Sequence, residues 1–265
     1  FKLYIYNVKR YNTFMEVCSI ILSAGKGSRM FSDIPKPLHL ISGKTMLERV
    51  IDANKSANIK KCIIVIPKNC EAFKGICHDF ETVVQKVPKG TGDAVKKASN
   101  LLKKFTGVIL VCFGDTPFLT SETFKRVIKA FDNKTKLVIT GFKKFEKNNY
   151  GKIIFSNKNE PIEIIEQKDA EVRNIHSEFC NGGVMAIHSS IINQLDKIQE
   201  NSISKEYYLT DLVNILNKEN KKISFIEIKE EEILGINNQV DLSVAEKISQ
   251  NLLRRNAMLK GVKLI

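Results

Sequence analysis

The sequence predicts an α/β fold, a mainly parallel sheet flanked by helices, and three observations carry that expectation. Short β-branched runs alternate with helical segments between Val17 and Gly141, the runs are apolar on both faces, and a glycine-rich turn follows the first run directly. Strands are expected at Val17–Leu22, Cys62–Ile66, Thr82–Val87, Val108–Phe113 and Leu137–Gly141. A strand open to water on one side alternates apolar and polar residues; VILVCF does not, so helices must cover both faces. Between the strands, Thr91 is expected to cap a helix whose Ala94, Val95, Ala98, Leu101, Leu102 and Phe105 fall at helical spacing. Thr120 or Ser121 opens another through Phe131.

After Tyr150 the pattern changes. Shorter strands are expected at Lys152–Ser156, Ile162–Glu166 and Gly183–His188, with helices at Ile191–Gln199 and Tyr207–Lys218. Phe225–Ile228 reads as a last strand. Val240, Val244, Ile248 and Leu252 line one face of a terminal helix. This half is expected to cover the open end of the sheet.

With 265 residues and 43% hydrophobic content, the chain can build one large α/β domain or two small ones. No apolar run approaches the roughly 20 residues that cross a bilayer, so a soluble protein without membrane contact is expected. The formal charge of +13 comes from lysines scattered as pairs such as Lys60-Lys61 and Lys143-Lys144. That scatter reads as a solvated surface rather than a nucleic-acid groove, and one that favours small polyanionic substrates. Six cysteines without a C-x-x-C pair signal neither zinc nor disulfides; Cys18, Cys62 and Cys112 fall in strands as buried thiols of a cytoplasmic protein. Residues 1–14 are basic and aromatic, lack the apolar centre of a signal peptide, and are expected as an extension without a part in the fold.

The chemistry is concentrated in Ile20–Leu38, IILSAGKGSRMFSDIPKPL. Two close glycines after a strand let the backbone approach an anion and turn successive N–H groups toward phosphate oxygens. The spacing is neither a Walker A loop nor the dinucleotide fingerprint, which needs a third glycine where Met30 stands. Arg29 and then Pro35-Lys36 add cations to the phosphate loop. Asp115 ends the run Val108–Phe113 within Gly114-Asp115-Thr116-Pro117, at the carboxyl edge of the sheet where open α/β sheets bind ligands. The four histidines stand outside every motif and read as structural or surface residues.

This pattern resembles the signature of sugar nucleotidyltransferases, and in detail the uridylyltransferase domains of the bacterial N-acetylglucosamine-1-phosphate uridylyltransferases. From Met15 onward the stations keep that family's order: Gln85 with Gly90-Thr91-Gly92, Gly114-Asp115, Tyr150-Gly151, Glu166 in EQKDA, Asn181 in NGG, Glu206–Asp211 in EYYLTD, and Gly235–Asn238 in GINN. The resemblance implies a Rossmann-like mixed sheet of the nucleotide-diphospho-sugar transferase type over 15–245, with 246–265 a terminal helix and linker toward a left-handed β-helix domain. It implies transfer from UTP to N-acetylglucosamine 1-phosphate, releasing pyrophosphate and giving UDP-N-acetylglucosamine for cell-envelope precursors.

By the same resemblance Arg29 and Lys36 are catalytic, and Leu22, Ala24, Gly25, Gly27, Gln85, Gly90 and Thr91 hold the nucleotide. Gly151, Glu166, Asn181, Tyr208 and Thr210 hold the sugar. Asp115 and Asn237 are expected as Mg²⁺ ligands, a donor set that suits an ion keeping waters and phosphates in its remaining positions. Arg29 and Lys36 would neutralise the triphosphate and departing pyrophosphate, and the sugar phosphate, with a second pKa of about 6, is ionised without a general base. Gln85 can offer a donor and an acceptor to uracil. The family commonly carries a second glutamine where this chain has Pro88, which leaves open a relative using another nucleoside triphosphate or hexose 1-phosphate. A catalytically silent domain would be expected to lose Arg29, Lys36 or Asp115, and all three are present. Trimer formation through the β-helix is not expected of this segment.

Overall fold

In the computed structural model, described over residues 15–69, 71–146 and 148–264, the expected runs form one nine-stranded sheet. The residues 1–14, expected to stand apart, lie outside the described residues, as does Cys70. The first strands are β1 (Val17–Leu22), a two-residue hairpin β2 (Leu40–Ile41) and β3 (Lys44–Thr45), β4 (Lys61–Pro67), β5 (Glu81–Gln85) and β6 (Val108–Phe113). They are followed by β7 (Thr135–Lys143), β8 (Lys152–Phe155), β9 (Pro161–Ile165), β10 (Phe179–His188) and β11 (Lys222–Glu227). The main order is β11-β7-β10-β6-β1-β4-β5, with β8 and β9 attached beside β10. β1 pairs parallel with both β4 and β6, and β4 with β5. β10 alone in that order runs antiparallel, between β6 and β7. This is the mixed, mainly parallel sheet expected.

Helices are α1 (Met46–Ser56), α2 (Lys74–Cys77), α3 (Thr91–Ser99), α4 (Ser121–Lys129), α5 (Gln167–Val172), α6 (Asp211–Lys218) and α7 (Gln239–Leu259). Alternate residues of β1 feed opposite faces. Cys18, Ile20 and Leu22 join the layer under α3 and α6, and Ile21 joins the layer under α1 and α4. Burial raises the Cys18 thiol to about 12 and the Cys62 thiol to about 11, so both stay protonated and act as small apolar groups. α1 has a capping box: Thr45 Oγ1 accepts from Glu48 N–H, and the Glu48 carboxylate accepts from Thr45 N–H at 2.8 Å. Such a box contributes about 1 kcal/mol.

Four local expectations are corrected. Thr91 does not cap α3; it is the first helical residue, because Gly90 takes φ 99° at the cap and the Thr91 hydroxyl accepts the Leu209 N–H at 3.0 Å. The helix expected from Tyr207 begins only at Asp211, because Tyr207 spends its N–H on Lys89 O and its carbonyl on Gly92 N–H. Ile191–Gln199 forms a 3₁₀ stretch over Ser189–Lys197, opened by the His188 ring accepting from Ser190 N–H; the β-branched pair Ile191-Ile192 gives little support to an α-helix there.

The fourth concerns the terminal helix, whose expected apolar face points outward. Val240 is 71% exposed and Val244 and Leu252 are each 48% exposed, whereas Ala245 and Ser249 are buried. The helix docks on a mixed surface: Ala245 and Leu242 pack against Ile41, Met46 and Ile236, while beside them Ser42 N–H donates to Glu246, the Ser42 and Ser249 hydroxyls bond at 2.8 Å, and Arg49 reaches Ser249. Among the described residues no helix is long and apolar enough to cross a membrane.

Candidate active site

The phosphate loop leaves β1 at its carboxyl end, where two parallel neighbours hold it: Ser23 N–H donates to Val65 O and Leu22 O accepts from Gly114 N–H. Gly27 lies at φ 60°, and a Cβ there would come within 2.7 Å of Lys36 Cβ, so the loop folds back on the proline-flanked lysine only through a glycine. Gly25 is different, with no atom within 4 Å of the place a Cβ would occupy. Its missing side chain leaves open space beside the loop.

A cavity of about 420 Å³ opens there, lined by Leu22, Ala24, Gly25, Lys36, Gln85, Gly90, Thr91 and Asp115 among others. Loops after β1, β5 and β6 supply these groups, at the sheet edge where α/β folds gather ligands. A larger hollow of about 770 Å³, with Asn148, Gln167 and His176 in its wall, contains none of the candidate residues and no phosphate loop. Chemistry rather than volume selects the smaller one.

At its mouth four candidates meet. Lys36 Nζ forms an ion pair with Asp115 and donates to Asn237 Oδ1 at 2.9 Å, and Arg29 Nη2 donates to the same oxygen at 3.2 Å. Asn237 is positioned by the start of α7: its N–H donates to Asp241 at 2.8 Å, while Asn238 caps the helix through Asp241 N–H. Ile236 N–H donates to Asp115 O, tying the two loops together. Two oxygens from segments far apart in sequence thus face one cation. A carboxylate and an amide oxygen converging on an ammonium are a donor set that fits a hard divalent ion.

The Gly90-Thr91-Gly92 loop, expected to meet the base, is held by the second half of the chain. A Cβ on Gly90 would stand 2.5 Å from Tyr207 O, and Gly92 N–H donates to that same oxygen. Gln85 is buried and its amide nitrogen donates to Gly90 O at 3.1 Å and Asp93 Oδ2 at 2.8 Å. Both amide hydrogens are therefore spent inside the protein, and the expected donor toward a base is absent. The oxygen remains.

The expected sugar contacts form a second cluster outside the cavity wall. Glu166 accepts from Thr210 Oγ1 at 2.9 Å, Asn181 N–H donates to Gly151 O at 2.8 Å, and a Cβ on Gly151 would lie 3.4 Å from Glu166 Oε2. A register shift in β10 between Asn181 and Met185 bends the strand at this point. Burial raises the Glu166 carboxyl above its ordinary value, against the Thr210 hydroxyl, and Asp211, Asp169 and Glu206 push the same way. Burial, followed by the nearby Glu166, Asp169 and Glu206 charges, also raises Tyr208, despite a Ser204 hydrogen bond.

Sequence reasoning left Ser23, Phe113 and Glu206, which also line the cavity, without a role, and it missed Asp93 and Asp241. Glu206 stood in a quoted motif and Asp93 one turn into a helix that was expected. What no pattern in one sequence carried was the pairing of Asp93 with Gln85.

A family model described as a MobA-like NTP transferase domain matches residues 19–201. The chain is 36% identical over 256 residues to the bifunctional protein GlmU of Ruegeria sp. (strain TM1040), covering 94% of this chain and 56% of that protein. It is 38% identical over 258 residues to the bifunctional protein GlmU of Clostridium kluyveri (strain NBRC 12016), covering 94% and 55%. The chain thus spans about half the length of these curated relatives. A solved structure described as a glucose-1-phosphate thymidylyltransferase from Bacillus anthracis superposes with a TM-score of 0.70 at 18% identity, covering 88% of this chain and 95% of that one, which supports the fold. With this mixed sheet, a glycine-rich loop at its carboxyl edge and a family match over most of its length, the chain belongs to the MobA-like NTP transferase family.

Proposed function

We propose that this nucleotidyltransferase moves a uridylyl group from UTP to N-acetylglucosamine 1-phosphate, releasing pyrophosphate and forming UDP-N-acetylglucosamine for cell-envelope precursors in the cytoplasm. The observation that carries the reading is the convergence of Arg29, Lys36, Asp115 and Asn237 at the mouth of a cavity whose far wall is the base loop. The sequence likeness to GlmU proteins supports the choice of base and sugar.

In this reading the sugar-phosphate oxygen attacks the α-phosphorus and the pyrophosphate leaves on the opposite side. Arg29 and Lys36 neutralise the triphosphate and the charge that grows on the departing group. Asp115 and Asn237 would hold Mg²⁺, which supplies charge neutralisation at the phosphate oxygens when bound. Leu22, Ala24, Gly25 and Gly27 let the loop backbone approach the phosphates, Gln85, Gly90 and Thr91 meet the base, and Gly151, Glu166, Asn181, Tyr208 and Thr210 orient the sugar. Glu166, half-buried and bonded by Thr210, is set to accept sugar hydroxyl hydrogen bonds.

A second reading, a relative that takes another nucleoside triphosphate or hexose 1-phosphate, is favoured by Pro88 in the cavity wall, which has no side-chain hydrogen bond to give. Pyrophosphate release, measured for each nucleoside triphosphate with N-acetylglucosamine 1-phosphate and with glucose 1-phosphate, separates the two. Turnover with UTP and the acetamido sugar is expected, and turnover with none of the pairs would sink both readings.

A further inference from the structure

We infer that Asp93, held by Lys97, is a positioning residue for base selection: it locks the Gln85 amide so that only a hydrogen-bond acceptor faces the nucleobase. The inference rests on the proposed place of the base beside Gln85.

Gln85 ends β5 and lines the cavity. Its side chain has two neighbours that can only accept in this arrangement, the Gly90 carbonyl at 3.1 Å and the Asp93 carboxylate at 2.8 Å. A flipped amide would aim its oxygen at two other oxygens. The orientation is thus set by chemistry rather than by density of contacts. Asp93 is itself fixed from behind, because Lys97 one helical turn later pairs with Oδ1 and leaves Oδ2 for Gln85. Asp93 is largely buried, with 15% of its side chain exposed, so its bond to Gln85 is shielded from competing water.

The consequence for the ligand follows from the base edges. Gln85 Oε1 accepts no hydrogen bond among the described residues and offers the cavity an acceptor. Uracil and thymine present an N3–H donor at the middle of their pairing edge, whereas cytosine presents a bare N3 acceptor there. An acceptor against an acceptor leaves both unpaired in a partly dry pocket, which costs more than an absent bond. Base choice is therefore made in part by a residue that does not touch the base.

The arrangement also predicts how to invert it. In Asp93→Asn, Lys97 keeps the side-chain oxygen on its own side, so the amide nitrogen faces Gln85 and donates. Gln85 then gains from turning its oxygen toward residue 93 and its NH₂ toward the cavity, against the resistance of Gly90 O. That places a donor opposite cytosine N3.

The test is titration calorimetry of UMP and CMP with the wild type, Asp93→Asn and Asp93→Ala, because binding of the base needs neither turnover nor the correct sugar. The wild type is expected to prefer UMP by about tenfold or more. Asp93→Asn should reduce that preference by about tenfold, and Asp93→Ala should reduce it less, since it frees the amide without directing it. Should either variant fail to fold, Lys97→Met, which loosens the carboxylate from the surface side, should show the same direction at smaller size. An unchanged UMP-to-CMP ratio in folded variants overturns the inference, as does a wild type that prefers CMP. If UMP is preferred as described while no sugar phosphate is converted, the proposed reaction fails and the role of Asp93 stands.

Discussion

The mouth proposed for phosphate and the cluster proposed for the sugar are built on opposite plans. Around the phosphate loop the protein neutralises itself: Lys36 sits between Asp115 and Asn237, Arg29 joins the same oxygen, and Gly25 looks into empty space. Around Glu166 the groups are already bonded to one another, with Thr210 on the carboxylate and Gly151 packed against Glu166 and Asn181. The first region depends on charges that must exchange partners when a polyanion arrives. The second depends on hydrogen bonds that are in place beforehand, a cheaper arrangement for a neutral ring and a poor one for a triphosphate. The difference teaches that substitutions in the two regions should fail in different ways.

The contrast is tested most severely at Asp115. Asp115→Asn removes the charge opposite Lys36 without changing shape, and should lower kcat by about a thousandfold while thermal unfolding shifts little, as read by pyrophosphate release and calorimetry. Glu166→Gln should leave the UTP KM unchanged and raise the sugar-phosphate KM about tenfold to a hundredfold. A common rise in both KM values would erase the separation of the two regions.

Glycines sharpen the same contrast. Gly90→Ala puts a methyl 2.5 Å from Tyr207 O at a positive φ, so a loss of about 2–3 kcal/mol in denaturant unfolding is expected. Gly25→Ala meets nothing within 4 Å, so its stability should stay within about 0.5 kcal/mol of the wild type while UTP binding weakens.

A pH dependence is expected on the Glu166 side. Burial, aided by Asp169 and Glu163, raises Asp211 from 3.8 to about 6. A carboxyl with a raised pKa is protonated in the native state before it is in the unfolded one, so stability is full below the unfolded value and falls as pH rises from about 4 to about 6. Allowing for solvent screening of a half-buried group, the loss is about 1 kcal/mol. Asp211→Asn should flatten that slope in urea unfolding measured across the window, leaving the part that the raised Glu166 carboxyl contributes.

The sheet was legible because its strands are continuous apolar runs, and the phosphate loop because glycine, arginine and lysine spacing has a direct chemical meaning. The ordered motifs placed the family on this chain. What remained hidden depended on long-range bonds. Thr91 looked like a cap until Leu209, 118 positions away, was found on its hydroxyl. The face of α7 is not legible in the 240-244-248-252 periodicity, since the helix docks through Leu242 and Ala245 on an apolar patch and through Glu246 and Ser249 on the polar Ser42 and Arg49. The capping box of α1 is legible in the Thr45-x-x-Glu48 spacing itself.

The antiparallel strand β10 has a consequence for how the molecule comes into being. It lies between β6 and β7, yet it follows both in the chain, at Phe179–His188. A nascent chain that has just emerged past Lys143 holds two strands whose ladder groups are waiting for one that is still to be made. Until it arrives, each presents an unsatisfied edge, the kind that pairs with strangers. Insertion of β10 closes both at once and carries Asn181 to its place by the sugar cluster. Joining β6 to β7 therefore waits for β10, and β11 and the Thr210 segment, later still in the chain, finish the sheet and that cluster after it.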